Sequence, residues 1–312
     1  MSNNTQDENE KYLENFLNDM SNKKDETTAP IIKQATNSYE RASELKFVTF
    51  DIKDLPCGEL YPIGTMLKIK PASVRDIQAY SMVDDNNIFD IIDKANDIIA
   101  ECVRIVRPDN TIGSYLELKD PDRFYLLFVI RDLTFQKGSL LQSTIMCDCG
   151  HKNITSLTRH SFNYFDMDTN LDEYFDIVNK LYTFELENNK TFTVGIPTIG
   201  LQKSFYSYII KHAKSKELNA SFLKIVPFTI SDRVSITEEG IKKLLIDFEN
   251  LDEMSFQFLN QAVQLLKFGI KEIKCTCDAC GEEAHADFSF PDDKPSRLFV
   301  KSDAFNQYIK KK

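Results

Sequence analysis

The chain has no tryptophan, only ten glycines and four histidines, and no apolar run near the about 18 residues that a membrane-crossing helix needs. Few glycines, none in a phosphate-loop pattern, leave no cradle for a nucleotide. His151, His160, His212 and His285 are scattered, so the His-Glu-x-x-His arrangement of a catalytic metal helix is missing, as is the Gly-x-Ser-x-Gly turn of a serine hydrolase. Positive charge is also short. Against 48 acidic residues stand 38 Lys and Arg, for a net charge of -10, and that field repels phosphate backbones and anionic lipid. Nucleic acid, membranes and small-molecule substrates are therefore not expected partners, and no enzyme is expected. The acidic pairs Asp84-Asp85 and Glu238-Glu239 fall at turns and helix starts, where capping explains them. The opening MSNNTQDENEKYLENF lacks the basic and apolar regions of a secretory signal, so a soluble protein of a reducing cytoplasm is expected.

What is present is cysteine in an unusual distribution. Seven cysteines are an odd number, and five crowd into two short knots. The first reads Cys147-Asp148-Cys149-Gly150-His151 and the second Cys275-Thr276-Cys277-Asp278-Ala279-Cys280-Gly281. Alternating flanks, 143–145 and 153–157 around one and Ile273 with 284–290 around the other, make each knot the tip of a hairpin. A glycine after the last cysteine permits the positive φ of a turn that aims backbone amides at thiolates. This is the pattern of a split zinc ribbon holding a structural Zn2+, with Cys147, Cys149, Cys277 and Cys280 as the expected ligands and Cys275 in reserve. His151 or His285 could replace a thiol that points away. Two other readings compete: ordinary reduced cysteines on strands, and a redox Cys277-x-x-Cys280 pair, which the acidic, strand-like continuation disfavours. Cys57, in a turn, and Cys102, on a helical stripe, read as structural thiols.

The fold expected is α+β. Residues 1–45 form a polar, acidic, disordered tail, with a possible amphipathic helix over 8–20 carrying Tyr12, Leu13, Phe16, Leu17 and Met20. An α+β body spans 46–160 and includes the first knuckle. It starts with a strand through Val48, Phe50 and Ile52 and a second from Met66 to Lys70. A helix follows, striped by Ile88, Ile91, Ile92, Ala95, Ile98, Ile99, Cys102 and Val103. Another is opened by Asp120 as cap and Pro121 in its first turn. Residues 161–270 form an inserted, mainly helical lobe with a hairpin around Asn188-Asn189 and helices near 201–214, 217–226, 238–248 and 252–268, with Thr237 and Asp252 as caps and Gly269 as a stop. The second knuckle, 271–290, completes the ribbon, and 291–312 is a tail ending in Lys310, Lys311 and Lys312. Zinc binding in peptides is worth on the order of 10–16 kcal/mol, more than the entropy of closing so long a loop, so the metal reads as a clasp at the base of the lobe.

The order of these features resembles a known family. Phe50 to Gly58 with its Leu55-Pro56 turn, Tyr61 running into Ile69-x-Pro71, the isoleucine-striped helix, the Arg131 helix before a Cys-x-Cys-Gly knot and a distant Cys-x-x-Cys-Gly knot are together similar to the baseplate hub and hub-assembly proteins of T-even-type contractile-tailed bacteriophages. The resemblance covers roughly residues 46 to 290. The short first knuckle and the long acidic N-terminus depart from it. It implies a structural or chaperone-like role in the host bacterial cytoplasm or the virion baseplate, with other hub or tail proteins as partners. The alternative is a zinc-ribbon regulator acting on RNA polymerase or nucleic acid, though the acidic Glu282-Glu283 hairpin offers phosphate little.

Overall fold

The computed structural model describes residues 46–135, 141–157, 165–167, 169–185, 191–213, 219–268, 273–286, 290 and 294–299. Met1–Leu45 and Lys46–Lys312 are separate units. The first, with the expected helix 8–20, lies outside the described residues, as do Asn188-Asn189, Gly269 and Lys310–Lys312. The second is α+β.

Its N-terminal part is a four-stranded antiparallel sheet in the order β1 (Val48–Phe50), β2 (Met66–Ile69), β3 (Val103–Val106) and β4 (Ile112–Gly113). Phe50, Leu67 and Ile105 stand side by side and are buried, as the alternation demands. Ile52 does not continue β1. The Asp51 carboxylate accepts the Lys53 amide at 3.0 Å and caps a single 3₁₀ turn, ending the strand at Phe50. Helix α1 (Val74–Ser81) carries a Ser73/Asp76 capping box, and α2 (Ile88–Cys102) is capped by Asn87. The stripe of α2 is buried from Ile91 to Cys102, but Ile88 at its start is 56% exposed and Val103 belongs to β3, and β3 and β4 are elements the periodicity hides. The helical spacing runs on into a β-branched segment with no Gly or Pro to mark the change.

Helix α3 (Asp122–Thr134) is buried almost all round. It starts one residue later than expected, with Pro121 in the cap position, because the Asp120 carboxylate is engaged by Arg123 Nη2 at 2.5 Å. Arg123 is itself buried and donates through Nε to Asn96 Oδ1 of α2 at 3.0 Å. A second polar knot fixes the 55–61 turns to the same helix end. Asp122 accepts from the Cys57 amide at 2.9 Å and the Tyr61 hydroxyl at 2.6 Å, and that hydroxyl accepts from the Lys119 amide at 2.7 Å. Cys57, placed by sequence in a turn, is thus a core thiol, 1% exposed.

The segment between the knuckles joins this body through one connected core. A small antiparallel sheet runs β10 (Thr191–Val194), β9 (Leu181–Glu185), β8 (Phe175–Asp176), so the expected hairpin is present, with Val194 paired to Tyr182. Four helices follow: α4 (Ile199–His212), α5 (Ala220–Thr229), α6 (Glu238–Glu249) and α7 (Glu253–Leu265), the last two capped by Thr237 and Asp252 as the sequence indicates. Helix α5 begins at Ala220 and not 217 because Asn219 accepts the Ser221 and Phe222 amides. The expected 252–268 helix stops at Leu265. Residues 266–268 form β11 (Leu266–Phe268), which pairs antiparallel with β7 (Phe165–Met167), so the two ends of the lobe are tied to each other by backbone. His212 is half-buried against Tyr208 and lies 3.1 Å from Glu238, whose carboxylate also meets Lys211 and Lys242. These contacts hold that carboxyl down to about 2, Lys211 foremost, then Lys242 and His212.

Where lobe meets body, the Ile199 amide donates to the Leu118 carbonyl at 2.7 Å and the first turn of α4 lies flush on residues 115–117. Gly200 permits this. A Cβ there would press into the Val234 carbonyl and sit 2.9 Å from Leu116 Cβ. Gly200→Ala is expected to destabilise the fold by about 1–3 kcal/mol despite alanine's better helix propensity, readable as a lower denaturant midpoint with an unchanged slope.

The start of the expected C-terminal tail is packed instead. Leu298 and Phe299 are 0% and 2% exposed; the Leu298 carbonyl accepts from Arg131 Nε at 2.7 Å, and Asp85 takes both the amide and hydroxyl of Ser296. Lys-Pro-Ser-Arg-Leu-Phe carries no periodicity, so only the partners on α3 and the 84–87 turn reveal it as a strap.

Candidate metal centre

Two hairpins build the site. β5 (Leu141–Met146) pairs with β6 (Lys152–Leu157) from Leu141↔Leu157 to Met146↔Lys152. Along β5, Leu141, Ser143 and Ile145 face in while Gln142, Thr144 and Met146 face out, and the alternation delivers Cys147 to the inner side. β12 (Ile273–Thr276) pairs with β13 (Glu283–Ala286), and Cys277 follows β12 as Cys147 follows β5. The tips are alike. The Cys147 amide donates to the His151 carbonyl at 2.9 Å and the Gly150 amide to the Cys147 carbonyl at 2.8 Å; the Cys277 amide donates to the Glu282 carbonyl at 2.8 Å and the Gly281 amide to the Cys277 carbonyl at 2.9 Å. Gly150 and Gly281 take φ of +84° and +77°. A Cβ at either would meet nothing within 4 Å, so conformation alone selects glycine.

The hairpins meet tip to tip. Cys147 Sγ lies 3.6 Å from Cys280 Sγ, and Cys149 Sγ 3.7 Å from Cys277 Sγ, pairs 133 and 128 residues apart in sequence. All four sulfurs lie within 4.8 Å of one another. A tetrahedron with metal–sulfur bonds of about 2.3 Å has edges of about 3.8 Å, so the two closest contacts are already near ligand spacing. The donor set is compatible with a metal ion and is the one the sequence picks out. Cys147 and Cys277 are buried, whereas Cys149 and Cys280 face solvent. The Cys280 amide, then that of Ala279, stabilises the Cys277 thiolate and brings its pKa down to about 6, opposed by burial. Amides aimed at sulfur are what a thiolate ligand needs.

Cys275 is not in the group. It pairs with Ala284 inside the second hairpin and packs half-buried against the core. His151 and His285 also lie outside it; His285 Nε2 is 3.4 Å from Glu283 Oε1. The Cys277-x-x-Cys280 segment leads into a strand and no helix, and each of its thiols lies within 3.7 Å of a sulfur on the other hairpin. Sequence reasoning missed Asn153. It is 4% exposed, opposite Ile145 on the inner face of the first hairpin, and its Oδ1 accepts the Asp278 amide of the second at 3.0 Å. The signal was available: strand alternation puts this one amide on the inner face that also carries Leu141, Ile145 and Cys147.

No helix among the described residues is long and apolar enough to cross a membrane. Comparison with protein-family models, with curated proteins and with solved structures gives no match.

Proposed function

We propose that the thiol cluster holds a structural zinc ion and that the chain is a non-enzymatic assembly protein of a phage tail baseplate hub, acting in the cytoplasm of the infected bacterium. The observation carrying the metal reading is the convergence of four thiols from two distant hairpins at near-tetrahedral spacing. Soft sulfur ligation favours zinc among abundant divalent ions, and four protein ligands fill its coordination shell, leaving no position for a substrate or an activated water. A filled site braces; it does not catalyse. The baseplate reading is supported by the ordered motifs from Phe50 to Cys280 and is consistent with an acidic protein that repels nucleic acid. Tagged full-length protein recovered from producing cells should carry hub or tail-tube proteins, identified by mass spectrometry. Recovery of RNA polymerase subunits, or salt-sensitive retention on DNA, would contradict it.

A further inference from the structure

We propose that Asn153 is a cross-brace between the two knuckles, donating from its amide to the Cys277 sulfur, so that metal enters and leaves the cluster from the Cys149 and Cys280 side. The proposal rests on the reading of the cluster as a metal site. The Oδ1 of Asn153 is fixed by the Asp278 backbone amide, and this bond leaves Nδ2 as the only free donor end of the side chain. That Nδ2 is fully buried and has no hydrogen-bond partner among the described residues. A buried amide donor without an acceptor costs about 1–3 kcal/mol, so a nearby anionic acceptor is worth a great deal to it. Cys277 adjoins Asp278, the residue to which Asn153 is bonded, and is 2% exposed. A metal-bound thiolate supplies the missing acceptor, and the hydrogen bond in turn reduces the charge and nucleophilicity of that sulfur. Asn153 therefore does two things with one side chain. It ties the first hairpin to the second before metal arrives, and it shields one of the four ligands.

The consequence is an ordered site. Cys277, buried and hydrogen-bonded, and Cys147, buried, form its fixed floor; Cys149 and Cys280, both exposed, form its door. Asymmetry of this kind is invisible in the ligand motif, because Cys-x-Cys and Cys-x-x-Cys treat both members alike.

The test uses the full chain loaded with Zn2+ and treated with iodoacetamide, with alkylation of each cysteine followed by peptide mass spectrometry and buried Cys57 and Cys102 as references for global unfolding. In the wild type Cys149 and Cys280 should react first and Cys277 last. Asn153→Asp keeps an acceptor for the Asp278 amide but removes the donor. It should raise Cys277 alkylation at least tenfold relative to Cys147, leave Cys57 and Cys102 protected, and weaken Zn2+ retention against a chelator by about 10–100-fold. Asn153→Ala removes both bonds and should do at least as much. An unchanged Cys277 to Cys147 ratio in Asn153→Asp, or Cys277 reacting first in the wild type, would overturn the proposal. The same ratio is read in chelator-treated protein. A wild type that takes up no Zn2+ removes the metal reading, while the metal-free ratio still decides whether Asn153 guards Cys277.

Discussion

Replacing Cys280 by serine, or stripping metal with a chelator, is expected to release the ion and open amide exchange across β5, β6, β12 and β13 while leaving α4 to α7 protected. The sign of the effect follows from loop closure. Joining residues 128 apart costs about 4 kcal/mol of chain entropy, and zinc–thiolate binding, on the order of 10–16 kcal/mol in peptides, exceeds it. Its reach follows from topology. On sequence alone the metal is the clasp of the whole lobe, so its loss should loosen everything from 161 to 270. The structure narrows that, because β7 and β11 already pair the lobe's two ends and the Leu118–Ile199 and Asp120–Pro197 backbone bonds fasten it to the body. Loss of metal should therefore free the two short hairpins, each a two-stranded unit unable to hold its register alone. Hydrogen exchange by mass spectrometry reads this segment by segment. Uniform loss of protection through α4 to α7 would show that the metal, and not the β7–β11 pair, closes the lobe.

Asp122→Ala is expected to destabilise the protein by about 3–5 kcal/mol, as large as any single substitution outside the metal site, because it leaves the Cys57 amide and the Tyr61 hydroxyl buried without their acceptor. Both hold the 55–61 turns against the start of α3. The carboxyl is fully enclosed, and burial pushes its pKa up to about 7 although the Tyr61 hydroxyl, the Cys57 amide and Lys119 all favour the charged form. The sign of the pH dependence is then fixed. A carboxyl whose folded pKa lies above its unfolded value near 3.8 binds more proton in the native state, so its contribution is complete below that lower value and is lost as pH rises through about 7. Other carboxyls such as Glu238 slope the opposite way, so the comparison must be internal. Asp122→Asn keeps one acceptor, does not titrate, and should cost less than alanine. Its stability difference from the wild type should shrink as pH rises from 4 to 8 in chemical denaturation. A constant difference would mean that Asp122 is ionised throughout.

What could be read from sequence was local. Thr237 and Asp252 cap their helices because a side-chain oxygen ahead of an apolar period needs nothing remote to act. The knuckles were legible for the same reason, since thiol spacing and a glycine of positive φ describe a complete turn. The hidden features all depend on distant partners. Three-residue strands at 165–167 and 266–268 carry too little pattern to predict each other, and a period-3.6 stripe conceals the change from α2 to β3. Asp122 stands out in no sequence pattern and gains its role only when the 55–61 turns are folded onto it. Leu298 and Phe299 look like a tail until Arg131 and Asp85 receive them.

Cys147, Cys149, Cys277 and Cys280 are proposed to hold one zinc. X-ray absorption at the zinc edge, with metal quantified per chain in protein purified under reducing conditions, tests it most directly. The expected result is one zinc per chain with four sulfur neighbours at about 2.3 Å, and less than a full equivalent in Cys280→Ser. Nitrogen or oxygen in the coordination shell, or metal-free protein with all seven thiols titratable once denatured, would contradict it.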